Sequence, residues 1–94
     1  MRSQKKPPQH AIVLADDHTL FREALAFLLN QDPELEVVGQ AENGRELVRV
    51  VNELKPDLVL TDIAMPQMNG TEAIGYLKSR NPGLKVVALT MYTG

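Results

Sequence analysis

Four side chains that could do chemistry stand where apolar runs of the chain end: Asp16, Asp17, Asp62 and Thr90. If these runs are parallel strands, their carboxyl ends meet at one edge of a sheet, where open α/β sheets bind ligands. The three carboxylates, which we call the acid cluster, would then repel one another until protons or a cation neutralised them. A few hard oxygen ligands that leave room for water suit Mg²⁺ better than Zn²⁺ or a fully caged Ca²⁺. The pattern therefore predicts a magnesium site built from the acid cluster.

Each acid taken alone also has a plainer explanation. Asp17 could cap the first predicted helix and Asp62 could simply end a strand, so it is the convergence of all three acids that favours a site. A phosphate-binding turn of the dinucleotide or P-loop kind is excluded, because the turn 15–19 has no glycine and carries two negative charges. His18, at the start of the same helix, is interpreted as a solvated or capping residue in preference to a phosphorelay histidine or a metal ligand.

The elements that must position these residues alternate in type along the chain. The predicted strands are Ala11–Ala15, Leu35–Ala41, Leu58–Thr61 and Leu84–Leu89. The first is a continuous apolar run typical of a strand buried on both faces, and the third is also predicted to be buried. Helical patterns lie between them, and the first has a predicted inward stripe of Phe21, Ala24, Leu25, Leu28 and Leu29. The next two helices each begin with the Asn-x-x-Glu spacing of a capping box, at Asn43 and Asn69. The order βαβαβαβ predicts an α/β fold with a parallel sheet, right-handed crossovers and helices on both faces.

Length and composition limit the chain to one small domain. Its 94 residues are 44% hydrophobic and 23% charged, which excludes general disorder and collagen-like structure. Because the sequence contains no cysteine, a disulfide framework, a thiolate metal site and a cysteine nucleophile are excluded, and a cytoplasmic location is expected. No apolar run approaches the roughly 18 residues of a membrane span, and residues 1–10 lack a signal-peptide pattern, so no membrane partner is expected.

Charge is distributed unevenly along the sequence. Residues 1–10 contain three cations, no acid and two prolines, so they are predicted to form a disordered basic leader. Residues 11–94, the predicted domain, contain 7 basic and 12 acidic residues and carry a net charge of −5. This acidic balance argues against DNA binding by the domain itself and is compatible with cation binding.

Three segments of the sequence resemble the receiver domain of bacterial two-component response regulators. They read AIVLADDHTLFREALAFLL, NGRELVRVVNELKPDLVLTDIAMPQMNG and KVVALT, and they occur in order without a gap. The wording DDHTLFREAL and ENGRELV is similar to the NarL/LuxR branch, whose members usually continue into a helix-turn-helix DNA-binding domain. The resemblance implies a flavodoxin-like, doubly wound parallel sheet, and a signalling domain that is not itself an enzyme.

The resemblance also implies a role for each matching residue. Asp62 matches the aspartate that accepts a phosphoryl group from a sensor histidine kinase, and Thr90 matches the switch hydroxyl. Asp17 matches the direct Mg²⁺ ligand, Asp16 the acid that acts mainly through water, and the backbone carbonyl of Ala64 the third protein ligand. Phosphorylation of Asp62 is then expected to control transcription through a C-terminal DNA-binding domain that this sequence does not contain.

The sequence departs from the family pattern because it stops after the fourth strand, whereas receivers have five strands and five helices. The expected sheet order is therefore 2-1-3-4, without the lysine that pairs with the phosphoryl group. Poor or undetectable phosphorylation of this form is expected, as is self-association through strand 4 or the uncovered sheet face.

Two alternative functions stay open at this point. The first is a truncated protein-interaction module that is not phosphorylated. The second is an Mg²⁺-dependent phosphatase of the haloacid-dehalogenase type, which ranks last because that type resembles D-x-D after strand 1. Here the two strand-1 acids are adjacent, and the best nucleophile ends strand 3.

Overall fold

Strands and helices alternate in the computed structural model, which describes residues 10–65 and 67–89. In order, these elements are β1 (His10–Ala15), α1 (Thr19–Asn30), β2 (Leu35–Ala41), α2 (Gly44–Leu54), β3 (Leu58–Asp62), α3 (Gly70–Arg80) and β4 (Lys85–Leu89). This order confirms the predicted βαβαβαβ pattern. None of the helices in the described ranges has the length and apolarity that a membrane crossing requires.

The four strands form one parallel sheet in the order β2-β1-β3-β4, which confirms the predicted flavodoxin-like order. At the carboxyl ends of the strands, Ala15 of β1 lies opposite Ala41 of β2 and Thr61 of β3. Asp62 at the end of β3 lies opposite Leu89 of β4. This register brings the carboxyl ends of β1 and β3 to the same edge, and it leaves β4 as an outer strand among the described residues.

Two layers of side chains cover the sheet, one on each face. Val13 of β1 packs in one core with Leu47 of α2 and Leu77 of α3. Leu14, the next residue of β1, packs in the other core with Ala26 of α1. Successive side chains of a strand point to opposite faces, so a strand that is apolar at every position must be covered on both sides. The helices therefore lie on both faces, as predicted.

The predicted capping boxes differ between the two helices. At Asn69 the box is complete, because the Asn69 side chain accepts from Glu72 N and the Glu72 carboxylate accepts from Asn69 N. At the start of α2 the Asn43 side chain accepts from the backbone N–H of the third helical residue. The carboxylate of that residue, Glu46, accepts the N–H of Glu42 at 2.9 Å, one residue before the cap. The spacing thus predicted both helix starts correctly, but only one of the two predicted capping boxes is reciprocal.

The first strand begins one residue before the predicted run Ala11–Ala15. His10 is the first residue of β1, because its N–H donates to the carbonyl of Glu34 at 3.0 Å and it pairs with Leu35. The strand therefore begins before the first apolar residue, since backbone pairing does not depend on side-chain polarity. Residues 1–9 of the predicted leader lie outside the described part of the chain.

The predicted inward stripe of α1 is also partly wrong. Ala24 is exposed and Leu28 is 63% exposed, while Ala26 is buried. Leu25 and Leu29 do pack against the sheet as predicted. The face of α1 that packs on the sheet is therefore narrower than the predicted stripe and slightly rotated around the helix, and part of the apolar surface of α1 is exposed.

Candidate functional site

The carboxyl edge of the sheet gathers all three residues of the acid cluster. One ligand atom from each of Asp16, Asp17, His18 and Asp62 lies within 4.8 Å of every other. Asp16 and Asp62 are buried, at 2% and 5% exposure, whereas Asp17 and His18 are exposed. The arrangement is a partly buried anionic pocket with one open side.

The turn after β1 holds Asp16 through its backbone. Its N–H donates to the carbonyl of Ala41 at 3.0 Å, which continues the ladder between β1 and β2. Its carbonyl accepts from Arg22 Nη1 at 2.6 Å, and Arg22 Nε donates to Gln40 Oε1 at 2.8 Å. Arg22 thereby ties the first turns of α1 to the end of β2. Sequence reasoning missed this residue, because only the fold places α1 beside β2.

The Asp16 carboxylate is only half satisfied by protein partners. Oδ1 accepts from the His18 backbone N–H at 2.8 Å and contacts His18 Nδ1 at 2.7 Å. Oδ2 is buried and has no hydrogen-bond partner among the described residues. A buried carboxylate oxygen without a partner is costly unless a cation or water satisfies it. The donor set is therefore chemically suited to a divalent cation.

His18 occupies the N-cap position of α1, but its side chain caps nothing. The ring turns to the carboxylates, with Nδ1 also 3.3 Å from Asp17 Oδ1. The hydrogen bond to Asp16, reinforced by the negative charges of Asp16 and Asp17, raises the pKa of His18 above its ordinary value of 6.5. The prediction of a solvated residue is confirmed by the exposed ring, whereas the capping alternative is wrong. Its position two residues after a buried acid is the only sequence signal that points to this contact.

Asp62 is held at the other side of the pocket by the loop that follows β3. The backbone carbonyl of Asp62 accepts from Thr61 Oγ1 at 2.9 Å, and Oδ1 accepts from Ala64 N at 3.3 Å. Gly70 packs so closely that a Cβ there would clash with the Asp62 carbonyl, and its N–H donates to Ile63 O at 2.7 Å. The first residue of α3 therefore fixes the backbone of the central acid.

The two other predicted site residues are Ala64 and Thr90, and the roles predicted for them remain predictions. Ala64 lies beside Asp62 and its N–H contacts the carboxylate, while the ligand role of its carbonyl stays a prediction. Thr90 lies outside the described residues, and β4 is described as far as Leu89, which is in register with Asp62.

A cavity of about 730 Å³ lies at the opposite edge of the sheet. Residues at the amino ends of the strands line it, including His10, Asp57 and Lys85. It contains none of the acid cluster. Since open parallel sheets bind ligands at their carboxyl ends, the chemistry of the acid cluster outweighs the size of this cavity.

Comparison with known proteins agrees with this geometry. Residues 12–94 match the family described as the response regulator receiver domain. The chain is 44% identical over 82 residues to the transcriptional regulatory protein YhcZ of Bacillus subtilis, covering 87% of this chain and 38% of YhcZ. It is 41% identical over 92 residues to the transcriptional regulatory protein DegU of Brevibacillus brevis, covering 98% of this chain and 39% of DegU.

Among solved structures, the signal receiver domain of the response regulator NarL from Mycobacterium tuberculosis superimposes with a TM-score of 0.85 at 28% identity. The alignment covers 94% of this chain and 71% of that one. The chain spans about two fifths of the length of the curated relatives it matches. The family match extends over nearly the whole sequence, and the sheet order and acid cluster agree with it. This chain therefore belongs to the response regulator receiver domain family.

Proposed function

We propose that this domain accepts a phosphoryl group on Asp62 from the phosphohistidine of a sensor histidine kinase. The observation that carries the proposal is the position of this carboxylate. It ends the central strand β3, is 5% exposed, and lies within 4.8 Å of two further acids. Receiver domains of transcriptional regulators are signalling modules, so the phosphorylated carboxylate is the signal and not an intermediate of turnover.

The transfer step is an in-line displacement at phosphorus. An Asp62 carboxylate oxygen forms the new O–P bond while the P–N bond of the donor phosphohistidine breaks. The departing imidazole nitrogen keeps the electron pair of that bond and takes up a proton. Positioning is the main task of the protein in such a reaction. Ala64 N and the close packing of Gly70 hold the attacking residue in place.

Asp16, Asp17, Asp62 and the Ala64 carbonyl are the residues that would hold Mg²⁺. When bound, the ion neutralises the carboxylates and the incoming phosphoryl oxygens, so that one anion can approach another. The exposed Asp17 is proposed as a direct ligand, and the buried Asp16 as one that acts mainly through water. The unpartnered Asp16 Oδ2 supports a cation or its water shell at this place. Thr90 is proposed to move toward the phosphoryl group after transfer.

The complete protein is proposed to control transcription. YhcZ and DegU are both named transcriptional regulatory proteins, and both are much longer than this chain. The acidic balance of the domain leaves DNA contact to a C-terminal domain. Kinase and DNA partners imply a cytoplasmic location. The interaction module without phosphorylation is not favoured, because such a module has no need for three converging carboxylates.

Phosphorylation with acetyl phosphate and Mg²⁺, followed by peptide mass spectrometry, tests this function. In the complete protein we expect a metal-dependent label on Asp62 only, absent from Asp62→Asn and present in the matched control Asp32→Asn. The Asp32 carboxylate caps a turn by accepting Glu34 N, and an amide oxygen can do the same.

Amide chemical shifts in a Mg²⁺ titration complete the experiment. Shifts near Asp17 and Asp62 are expected, and Asp17→Asn is expected to weaken them. A label on any other residue, or the absence of metal-dependent shifts at these two acids, would contradict the proposal.

A further inference from the structure

One imidazole nitrogen belongs to the donor set of the acid cluster, although a magnesium site has no need of it. His18 Nδ1 lies 2.7 Å from Asp16 Oδ1 and 3.3 Å from Asp17 Oδ1. A donor atom of the His18 ring also lies within 4.8 Å of an Asp62 oxygen. The ring is 56% exposed, so it can adjust its position without disturbing the core.

The spacing of these atoms fits neighbouring ligands of one metal ion. Two ligands at about 2.1 Å from an ion and at right angles to each other are separated by about 3.0 Å. The distances from Nδ1 to the two carboxylate oxygens lie on either side of that value. A metal held between these atoms would replace the hydrogen bond of the free site, with the imidazole proton carried on Nε2.

A second observation, on the same buried carboxylate, points to a ligand. The Asp16 side chain is 3% exposed and its Oδ2 has no partner among the described residues. This carboxylate is oriented through Oδ1 by two contacts with His18, its backbone N–H and its ring nitrogen. The residue that orients the buried acid therefore also presents the nitrogen donor.

We propose that His18 Nδ1 is a direct ligand when a first-row transition metal occupies this site, so that the site binds such metals by a donor that Mg²⁺ does not use. This inference rests on the metal site proposed above. Imidazole suits Ni²⁺, Zn²⁺ and Fe²⁺, whereas carboxylate, carbonyl and water suit Mg²⁺ and Mn²⁺. His18 thus determines which divalent ions the domain accepts. Without it the site would hold oxygen ligands only.

The first measurement compares Ni²⁺ and Mg²⁺ affinity by calorimetry on the untagged 94-residue chain at about pH 8, where an ordinary imidazole is neutral. Loss of a second-shell partner usually costs roughly 10–100-fold in metal affinity, so loss of a direct ligand should cost at least about tenfold. His18→Gln should lower Ni²⁺ affinity by that factor and Mg²⁺ affinity by clearly less, because the backbone N–H of residue 18 still holds Asp16 Oδ1. The matched control is His10→Gln, because the chain has only two histidines and His10 begins β1 at the far end. This control should change neither affinity.

The second measurement detects the bond itself. In chain labelled with ¹⁵N-histidine, bound Cu²⁺, another ion that imidazole suits, should show electron spin-echo modulation from a coordinated imidazole, and His18→Gln should abolish it. Equal Ni²⁺ affinity in His18→Gln and the original chain, or no nitrogen modulation while Mg²⁺ still shifts the amides of Asp17 and Asp62, would overturn the ligand role and leave the proposed function intact. Absence of any metal-dependent shift at these acids would overturn both.

Discussion

Replacing Asp62 by asparagine should stabilise the domain in the absence of divalent cations. Asp62 lies within 4.8 Å of two other carboxylates. At 4.8 Å two unit charges repel by about 0.9 kcal/mol in water and by about 3.5 kcal/mol at an effective dielectric constant of 20. His18 offsets part of this repulsion, so we expect Asp62→Asn to raise the free energy of unfolding by about 1–3 kcal/mol. The amide oxygen can still accept the Ala64 N–H, so the substitution loses no hydrogen bond.

Urea unfolding followed by far-ultraviolet circular dichroism measures this change, in EDTA and in saturating Mg²⁺. In a domain of this size, 1 kcal/mol corresponds to a melting-temperature shift of roughly 4–8 °C, so thermal unfolding provides a second readout. Mg²⁺ should stabilise the original chain by mass action and the variant less, because the variant lacks a charged ligand. The difference should therefore shrink or reverse when Mg²⁺ is added.

The matched control for this experiment is Glu36→Gln. This substitution removes one negative charge, as Asp62→Asn does, but from an exposed residue of β2. Glu36 pairs with Ala11 near the amino end of β1, away from the acid cluster. Little change is expected in either buffer. If Asp62→Asn is no more stable than the original chain in EDTA, or gains as much from Mg²⁺, the three carboxylates do not repel one another as the structure implies.

Three further predictions concern packing, protonation and assembly. Gly70→Ala should lower the free energy of unfolding in urea by about 1–3 kcal/mol, because the new Cβ would clash with the Asp62 carbonyl. Gly75→Ala, in the same helix but facing open space, should raise it by up to about 1 kcal/mol. An NMR titration should give His18 a pKa above 6.5, and Asp16→Asn should lower that pKa. Because the pKa of His18 is raised in the folded state, its contribution to stability is complete below pH 6.5 and is lost as the pH rises through the folded-state pKa. A free energy of unfolding that does not fall across this pH range would contradict the contact between His18 and Asp16. Sedimentation at micromolar concentration should show a species larger than 10.4 kDa. The reason is that β4, among the described residues, is an outer strand with exposed apolar side chains. A compact 10.4 kDa species that unfolds cooperatively would refute self-association.

Local sequence patterns determined the elements and the edge where the acids meet. Uninterrupted apolar runs predict strands buried on both faces, and such strands joined by helices must be parallel. Once the strands are parallel, Asp16, Asp17 and Asp62 can only follow their carboxyl ends, so the convergence of the acid cluster was predictable without coordinates. The Asn69 capping box was predictable for the same reason, because it depends on residues within one turn of helix.

Only the tertiary structure decided which atoms face one another. The stripe of α1 failed at Leu28 because helical periodicity orders apolar residues around a helix but does not say how wide a sheet they will meet. Arg22 and His18 came to the acid cluster because α1 lies against the β1–β2 side of the sheet and the turn after β1 bends toward Asp16. The Arg22–Gln40 contact depends on packing between α1 and β2, which are separate segments of the chain, whereas the His18–Asp16 contact depends on the conformation of one turn. Side-chain periodicity within any one of these segments carries no information about that packing.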